Sequence, residues 1–271
     1  MNKQKRFDKI ARDIKSIKIQ GARNIAKKAL YAYHLIPTKA SKRKLLSLRP
    51  TEPMLQNVLD LAEDEPYEEI VKHFDKAQES INAHVLKLIK KDDVIFTHCH
   101  STNVTGALIN AKKNGKHFEV YNTETRPKLQ GRKTAKELSR AKIKVTMFVD
   151  SAIGVALSKE QGTKKVDKVF LGADALLKKG IVNKIGSETV AKLAKQEDIP
   201  IYIIADSWKF TEKKIPIEQR SLNEVWDNAP KKIKIKNPAF EFVDKKYIEG
   251  IVTELGLMKY NQFLRWMKKI K

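Results

Sequence analysis

Apolar residues recur every three or four positions through "RNIAKKALYAYHLI", "TEPMLQNVLDLAE" and "YEEIVKHFDKAQESINAHVLKLIKK", the period of a helix that buries one face. No stretch before residue 92 alternates as a strand does, so residues 1–92 are read as a helical domain. Pro37 and "LRPTEP" punctuate it, and Thr51 is placed to cap a helix that Glu52 and Pro53 begin. After "KKDD" the texture changes. Short runs rich in branched and aromatic residues ("VIFTH", "FEVYN", "KVTMFV", "KVFLG", "IYIIA") are separated by helix-like segments such as "NVTGALINAKKNG", "GRKTAKELSRA" and "SETVAKLAKQED". Alternating strands and helices predict right-handed crossovers and a mostly parallel sheet covered on both faces. Residues 93–271 are therefore read as a doubly wound α/β domain. Beyond about residue 212 the pattern is less regular, with helices predicted over "KYIEGIVTELG" and "NQFLRWMKKI".

Composition narrows the class. With 41% hydrophobic residues in 271, the chain can build a real core. No apolar run reaches the roughly 20 residues of a membrane span, and the charged start "MNKQKRFDKIARDIKSIKIQ" lacks the apolar middle of a signal peptide. The expected setting is the cytoplasm, with no membrane partner. One cysteine excludes an internal disulfide and any multi-cysteine metal cage within the chain. Lys+Arg 55 against Asp+Glu 32 gives +23, which suits polyanionic partners: nucleic acid or phosphorylated metabolites. The excess is mostly scattered lysine and no nucleic-acid-binding motif accompanies it, so no nucleic-acid partner is expected.

In open parallel sheets, ligands bind where strands end. Cys99, Glu124, Arg126, Asp150, Ser151, Asp174 and Asp206 all follow apolar runs directly. Cys99, between His98 and His100, has three readings: an inert buried thiol, a metal ligand, or a thiolate favoured by the N–H groups of a helix starting at Ser101 or Thr102. The metal reading is the weakest, because consecutive residues of an extended segment face opposite ways. Asp174 in "FLGADALL" is either a cap for a following helix or a desolvated carboxyl able to act as a general acid. Lys184, Gly186 and Ser187 in "GIVNKIGSETV" form a candidate anion site at a helix start. Arg49 and Arg126 precede prolines, which preorganises them for phosphate or for ion pairing. Neither the G-x-G-x-x-G nor the G-x-x-x-x-G-K-[ST] pattern is present, so no cofactor is expected.

Taken in order, "IKIQGARNIAKKALYAY", "LRPTEPMLQNVL", "FTHCHS", "ETRPKLQG", "KVTMFVDSAIG", "FLGADAL", "GIVNKIGS", "ADSWKF" and "KNPAFEF" resemble one family. It unites the α, β and δ subunits of translation initiation factor 2B with methylthioribose-1-phosphate isomerase and archaeal ribose-1,5-bisphosphate isomerase. The resemblance implies a helical domain followed by a Rossmann-like domain and a homo-oligomer, of dimer or hexamer-of-dimers type. Cys99 and Asp174 match the cysteine and aspartate of the isomerases, and "ADSWKF" matches the ribose-1,5-bisphosphate enzymes better than the methylthioribose ones. The implied activity is conversion of ribose 1,5-bisphosphate to ribulose 1,5-bisphosphate: Asp174 protonates the ring oxygen and a Cys99 thiolate manages the proton on C2. Gly21, Ala22, Arg23, Arg49, Gln130, Ser151, Asn183, Lys184 and Lys209 are the implied substrate-binding residues, and no metal is implied. The family's phosphate turn reads R-G-A, whereas here Gln20 precedes Gly21, leaving Arg23 to reach back from the first helical turn. That departure keeps open a non-catalytic, initiation-factor-like subunit, and methylthioribose 1-phosphate remains the alternative substrate.

Overall fold

The computed structural model describes residues 2–159 and 162–270. Five helices open the chain: α1 (Lys3–Lys15), α2 (Ala22–Leu35), α3 (Lys39–Leu48), α4 (Pro53–Leu61) and α5 (Tyr67–Leu88). Asn2 and Thr38 cap α1 and α3 through their side-chain oxygens. The cap of α4 differs from the expectation. Thr51 turns away and its hydroxyl donates to Glu218 at 3.4 Å, while Glu52 occupies the N-cap position ahead of Pro53. Proline at the first helical position sacrifices only a donor that would have no intrahelical partner. The apolar stripes meet in two clusters, one around Phe7, Ile14, Ile25 and Leu45, the other around Leu30, Met54, Val58 and Phe74. The long α5 serves two bodies. Ile70 and Phe74 pack among the helices, whereas Ile81 and Val85 lie against the sheet with Val104, Leu108 and Val120.

The rest alternates. In chain order it runs β1 (Asp93–Thr97), α6 (Thr102–Lys113), β2 (Phe118–Thr123), α7 (Gln130–Arg140), β3 (Lys144–Phe148), α8 (Ile153–Leu157), β4 (Lys168–Leu171), β5 (Ala175–Leu177), β6 (Gly180–Lys184), α9 (Ser187–Gln196), β7 (Ile201–Ile204), β8 (Phe240–Asp244), β9 (Gly250–Thr253), β10 (Gly256–Met258) and α10 (Tyr260–Ile270). The main sheet has the order β10-β9-β7-β4-β1-β2-β3 and is parallel except for β10. β1 and β4 are buried along their whole length, as a sheet covered on both faces requires. All five runs read as strands are strands. "KYIEGIVTELG" is not a helix: it forms a 3-10 turn (Lys245–Tyr247), then β9 and the start of β10. Ile248, Ile251, Val252 and Leu255 carry a helical period, but β9 gains full pairing beside β7, and Gly256 at φ +125° turns the chain into the hairpin. A second, antiparallel sheet, β5-β6-β8, sits after β4. Among the described residues, no helix is long and apolar enough to cross a membrane.

Candidate active site

The strand order reverses between β1 and β4: β2 and β3 lie to one side, β7 and β9 to the other. A crevice opens at the carboxyl ends of strands at such a reversal. The loops leaving β1 and β4 carry Cys99 and Asp174. These loops are in contact, since a Cβ on Gly172 would lie 2.6 Å from the Ser101 side chain. Both functional residues line one cavity, together with Gly21, Ala22, Arg23, Arg49, Gln130, Asn183, Lys184 and Lys209. Ser151 is the exception. It is exposed in the 3-10 turn after β3 and lies outside the cavity lining, because the chain has already turned toward α8.

Cys99 adopts a left-handed backbone, φ +67°, uncommon for a residue with a side chain. Two threonines hold it there. Its N–H donates to Thr125 Oγ1 at 3.0 Å, and its carbonyl accepts from Thr134 Oγ1 at 2.8 Å. Ser101 caps α6, accepting from the Val104 N–H, so the helix begins where expected. The thiolate does not follow. Burial pushes the thiol up to about 11, with Lys184 and the His100 N–H pulling the other way, so Cys99 is a neutral thiol near neutral pH. The neighbouring histidines have other tasks. The His98 ring lies 2.8 Å from the Ile185 carbonyl and 2.5 Å from Thr123 Oγ1, and His100 lies 3.0 Å from Glu137.

Asp174 precedes a strand, β5, and caps no helix. Desolvation raises its carboxyl despite the opposing charges of Lys209, Lys184 and Arg49, the direction in which a general acid has to be tuned. Lys209 donates to the carbonyl of Ala173 at 2.7 Å, which fixes a buried ammonium beside that carboxyl. Lys184 lies 4.8 Å over the Phe240 ring. Among the described residues neither lysine lies within ion-pair distance of a carboxylate, although they are 6% and 7% exposed. Buried cations with only the Asp174 carboxyl nearby, and that carboxyl tuned toward its neutral form, favour an anion in the cavity.

Other residues arrive through local geometry. Gln130 opens α7 close to β2 because Gly131 permits it: a Cβ there would sit 1.7 Å from the Thr123 carbonyl. Asn183 Nδ2 donates to Ser187 Oγ at 2.9 Å, tying β6 to the start of α9 at Gly186, φ +100°. Arg23 lines the cavity, but one arm is 2.6 Å from Asp75 and the other 3.4 Å from Gln78. Arg220 was not foreseen. It lies on the strap between β7 and β8, half-enclosed by Glu218 and Glu224, and adds a guanidinium to the same cavity. Glu52, which the sequence marks only as part of a helix start, also lines the cavity and is 3% exposed. Among the described residues, five buried side-chain atoms have no hydrogen-bond partner, and three of them, Arg49 Nε, Glu52 Oε2 and Gln130 Oε1, belong to this lining. Unmet polar atoms concentrated in one cavity are the mark of a site built for a polar ligand.

Of the remaining strand-end residues, Asp150 accepts from the Thr125 and Arg126 N–H groups, Glu124 pairs with Arg132, and the Arg126 guanidinium donates to the Val225 carbonyl. Asp206 caps the next turn and lies 3.2 Å from His73. With Glu254 these two form the one cluster among the described residues whose donor atoms approach metal-binding separations.

Comparison with known proteins gives a consistent picture. The model of the initiation factor 2 subunit family matches residues 62–260. A ribose 1,5-bisphosphate isomerase of Methanocaldococcus jannaschii is 36% identical over 297 residues, covering 94% of each chain. One from Archaeoglobus fulgidus is 32% identical, covering 91% of this chain and 87% of that one. Among solved structures, a Pyrococcus horikoshii translation initiation factor eIF-2B superposes with a TM-score of 0.81 at 26% identity, over 94% of this chain and 97% of that one.

Proposed function

We propose that this chain, which belongs to the initiation factor 2 subunit family, is a sugar phosphate isomerase that converts ribose 1,5-bisphosphate to ribulose 1,5-bisphosphate. The observation that carries the reading is the meeting of Cys99 and Asp174 in one cavity, brought from the loops after β1 and β4 to the point where the sheet reverses. The relatives named as ribose 1,5-bisphosphate isomerases support it. Lys184 and Lys209 offer two buried cations, with Arg49 and Arg220 in the same lining held by Glu52, Glu218 and Glu224. Two cations suit a bisphosphate better than methylthioribose 1-phosphate, which has one phosphate.

Asp174, whose burial favours its neutral form, gives its proton to the ring oxygen as the bond from that oxygen to C1 breaks. The hydrogen on C2 then passes to C1, and C2 becomes the ketone. Cys99 stands at the C2 side. With a thiol at about 11 it acts through a minor thiolate fraction, which Lys184 favours. Gln130, Asn183 and the turn at Gly21 and Ala22 hold phosphate and hydroxyl groups, and the apolar strand ends exclude water from the charged intermediate. The reading includes a cytoplasmic, oligomeric enzyme.

Purified protein supplied with ribose 1,5-bisphosphate and, separately, methylthioribose 1-phosphate should show the higher kcat/KM on the bisphosphate. Turnover should be lost in Cys99→Ser and Asp174→Asn. A higher value on the thiosugar would reassign the substrate. The second reading, a non-catalytic initiation-factor-like subunit, is favoured by Gln20 and by the likeness to the eIF-2B structure. Recovery of initiation factor 2 from a native lysate, with neither sugar turned over, would select it.

A further inference from the structure

The cavity holds a second carboxyl for which the resemblance provides no role. Glu52 Oε1 lies 3.2 Å from Arg49 Nη2, while Oε2 is buried without a partner. A purely structural ion pair would be expected to satisfy both oxygens, because a desolvated, unbonded carboxyl oxygen is costly. The charged groups facing Glu52 come from four places: Arg49 at the end of α3, Asp174 between β4 and β5, Lys209 in the 3-10 turn after β7, and Glu218 on the strap. Burial and then the Asp174 charge push Glu52 up to about 8. Two carboxyls that feel each other in a dry site do not both ionise readily, and with Glu52 at about 8 its base form is reached as the pH rises toward that value.

We propose that Glu52 is a catalytic base that takes the proton from the 2-hydroxyl of the sugar while Asp174 protonates the ring oxygen. The inference rests on the isomerase reading and completes its balance, because forming a ketone at C2 requires that hydroxyl proton to leave. The bonding pair between C1 and the ring oxygen goes to that oxygen, which gains the Asp174 proton. The C2–H pair ends as a C1–H bond, and the O–H pair becomes the carbonyl, releasing its proton to Glu52. One proton leaves Asp174 and one arrives at Glu52. Exchange between the two carboxyls returns the site to its starting state.

Glu52→Gln tests this, since the amide keeps the shape and can still accept from Arg49. We expect kcat to fall about a hundredfold or more, KM to stay within about threefold, and the rising limb of the kcat–pH profile near 8 to disappear. Glu52→Asp, which keeps a carboxyl one carbon further back, should recover part of the rate together with that limb. A kcat within about threefold of wild type overturns the proposal, and so does a slower enzyme whose pH limb is unmoved, because a structural role predicts the latter. Should Glu52→Gln fail to fold, the wild-type profile decides: no ionisation between about 7 and 9 rules Glu52 out as the base. Wild-type protein that forms no ketose refutes the isomerase reading itself, a result obtained before any variant is made.

Discussion

Cys99 is the chain's single cysteine, so its ionisation can be read directly from the rate of alkylation. Only the thiolate reacts. With the thiol raised from 9.0 to about 11, the thiolate fraction at pH 8 falls about a hundredfold, from about 9% to about 0.1%. Iodoacetamide should therefore label the native protein about a hundredfold more slowly than the same protein in urea. Shielding alone would slow labelling equally at every pH, so the profile matters more than the rate. The native rate should keep rising about tenfold per pH unit past pH 10, where an ordinary thiol has levelled off. Replacing Lys184 with Met should slow it further, because Lys184 is the strongest influence favouring the thiolate. The fold favours the neutral thiol, so this contribution to stability is complete below about 9 and is lost as pH rises through about 11. A native profile that levels off at or below pH 9 would return Cys99 to the role of an ordinary or resting thiolate.

Three further outcomes follow from the geometry. Gly131→Ala would place a Cβ 1.7 Å from the Thr123 carbonyl and must displace α7; urea denaturation should show a loss of about 3 kcal/mol or more. Lys168→Met removes the ammonium 2.7 Å from the Asp93 carboxylate and leaves it the Lys90 N–H at 2.7 Å, and the same assay should show about 3 kcal/mol lost. Ser151→Ala should leave kcat/KM within about twofold, because the residue is exposed and outside the cavity.

The two residues on which the chemistry rests were legible because each directly follows an apolar run, and a strand-end position in a parallel sheet implies a place at the ligand crevice. Their meeting was less so. It depends on β4 crossing to the other side of β1, which is a fact of strand order that local periodicity does not contain. Arg220 lies in the irregular strap between β7 and β8, where no period marks a facing direction. Glu52 was read through its proline as a helix start, which is correct and conceals that the N-cap position aims its carboxyl at Arg49 and the cavity. The misread hairpin β9–β10 has the same origin. Four apolar residues at helical spacing also suit a short buried strand, and only the open edge of β7 decides between them.

In the proposed reaction the Cys99 and Asp174 cavity moves hydrogen from C2 to C1 of a phosphorylated ribose. Carbon-13 NMR of ribose 1,5-bisphosphate labelled at C2 follows that transfer at the reacting carbon. A ketone resonance should grow with wild-type protein and be absent with Asp174→Asn. A labelled carbon that remains a secondary alcohol through prolonged incubation with folded wild-type protein would contradict it.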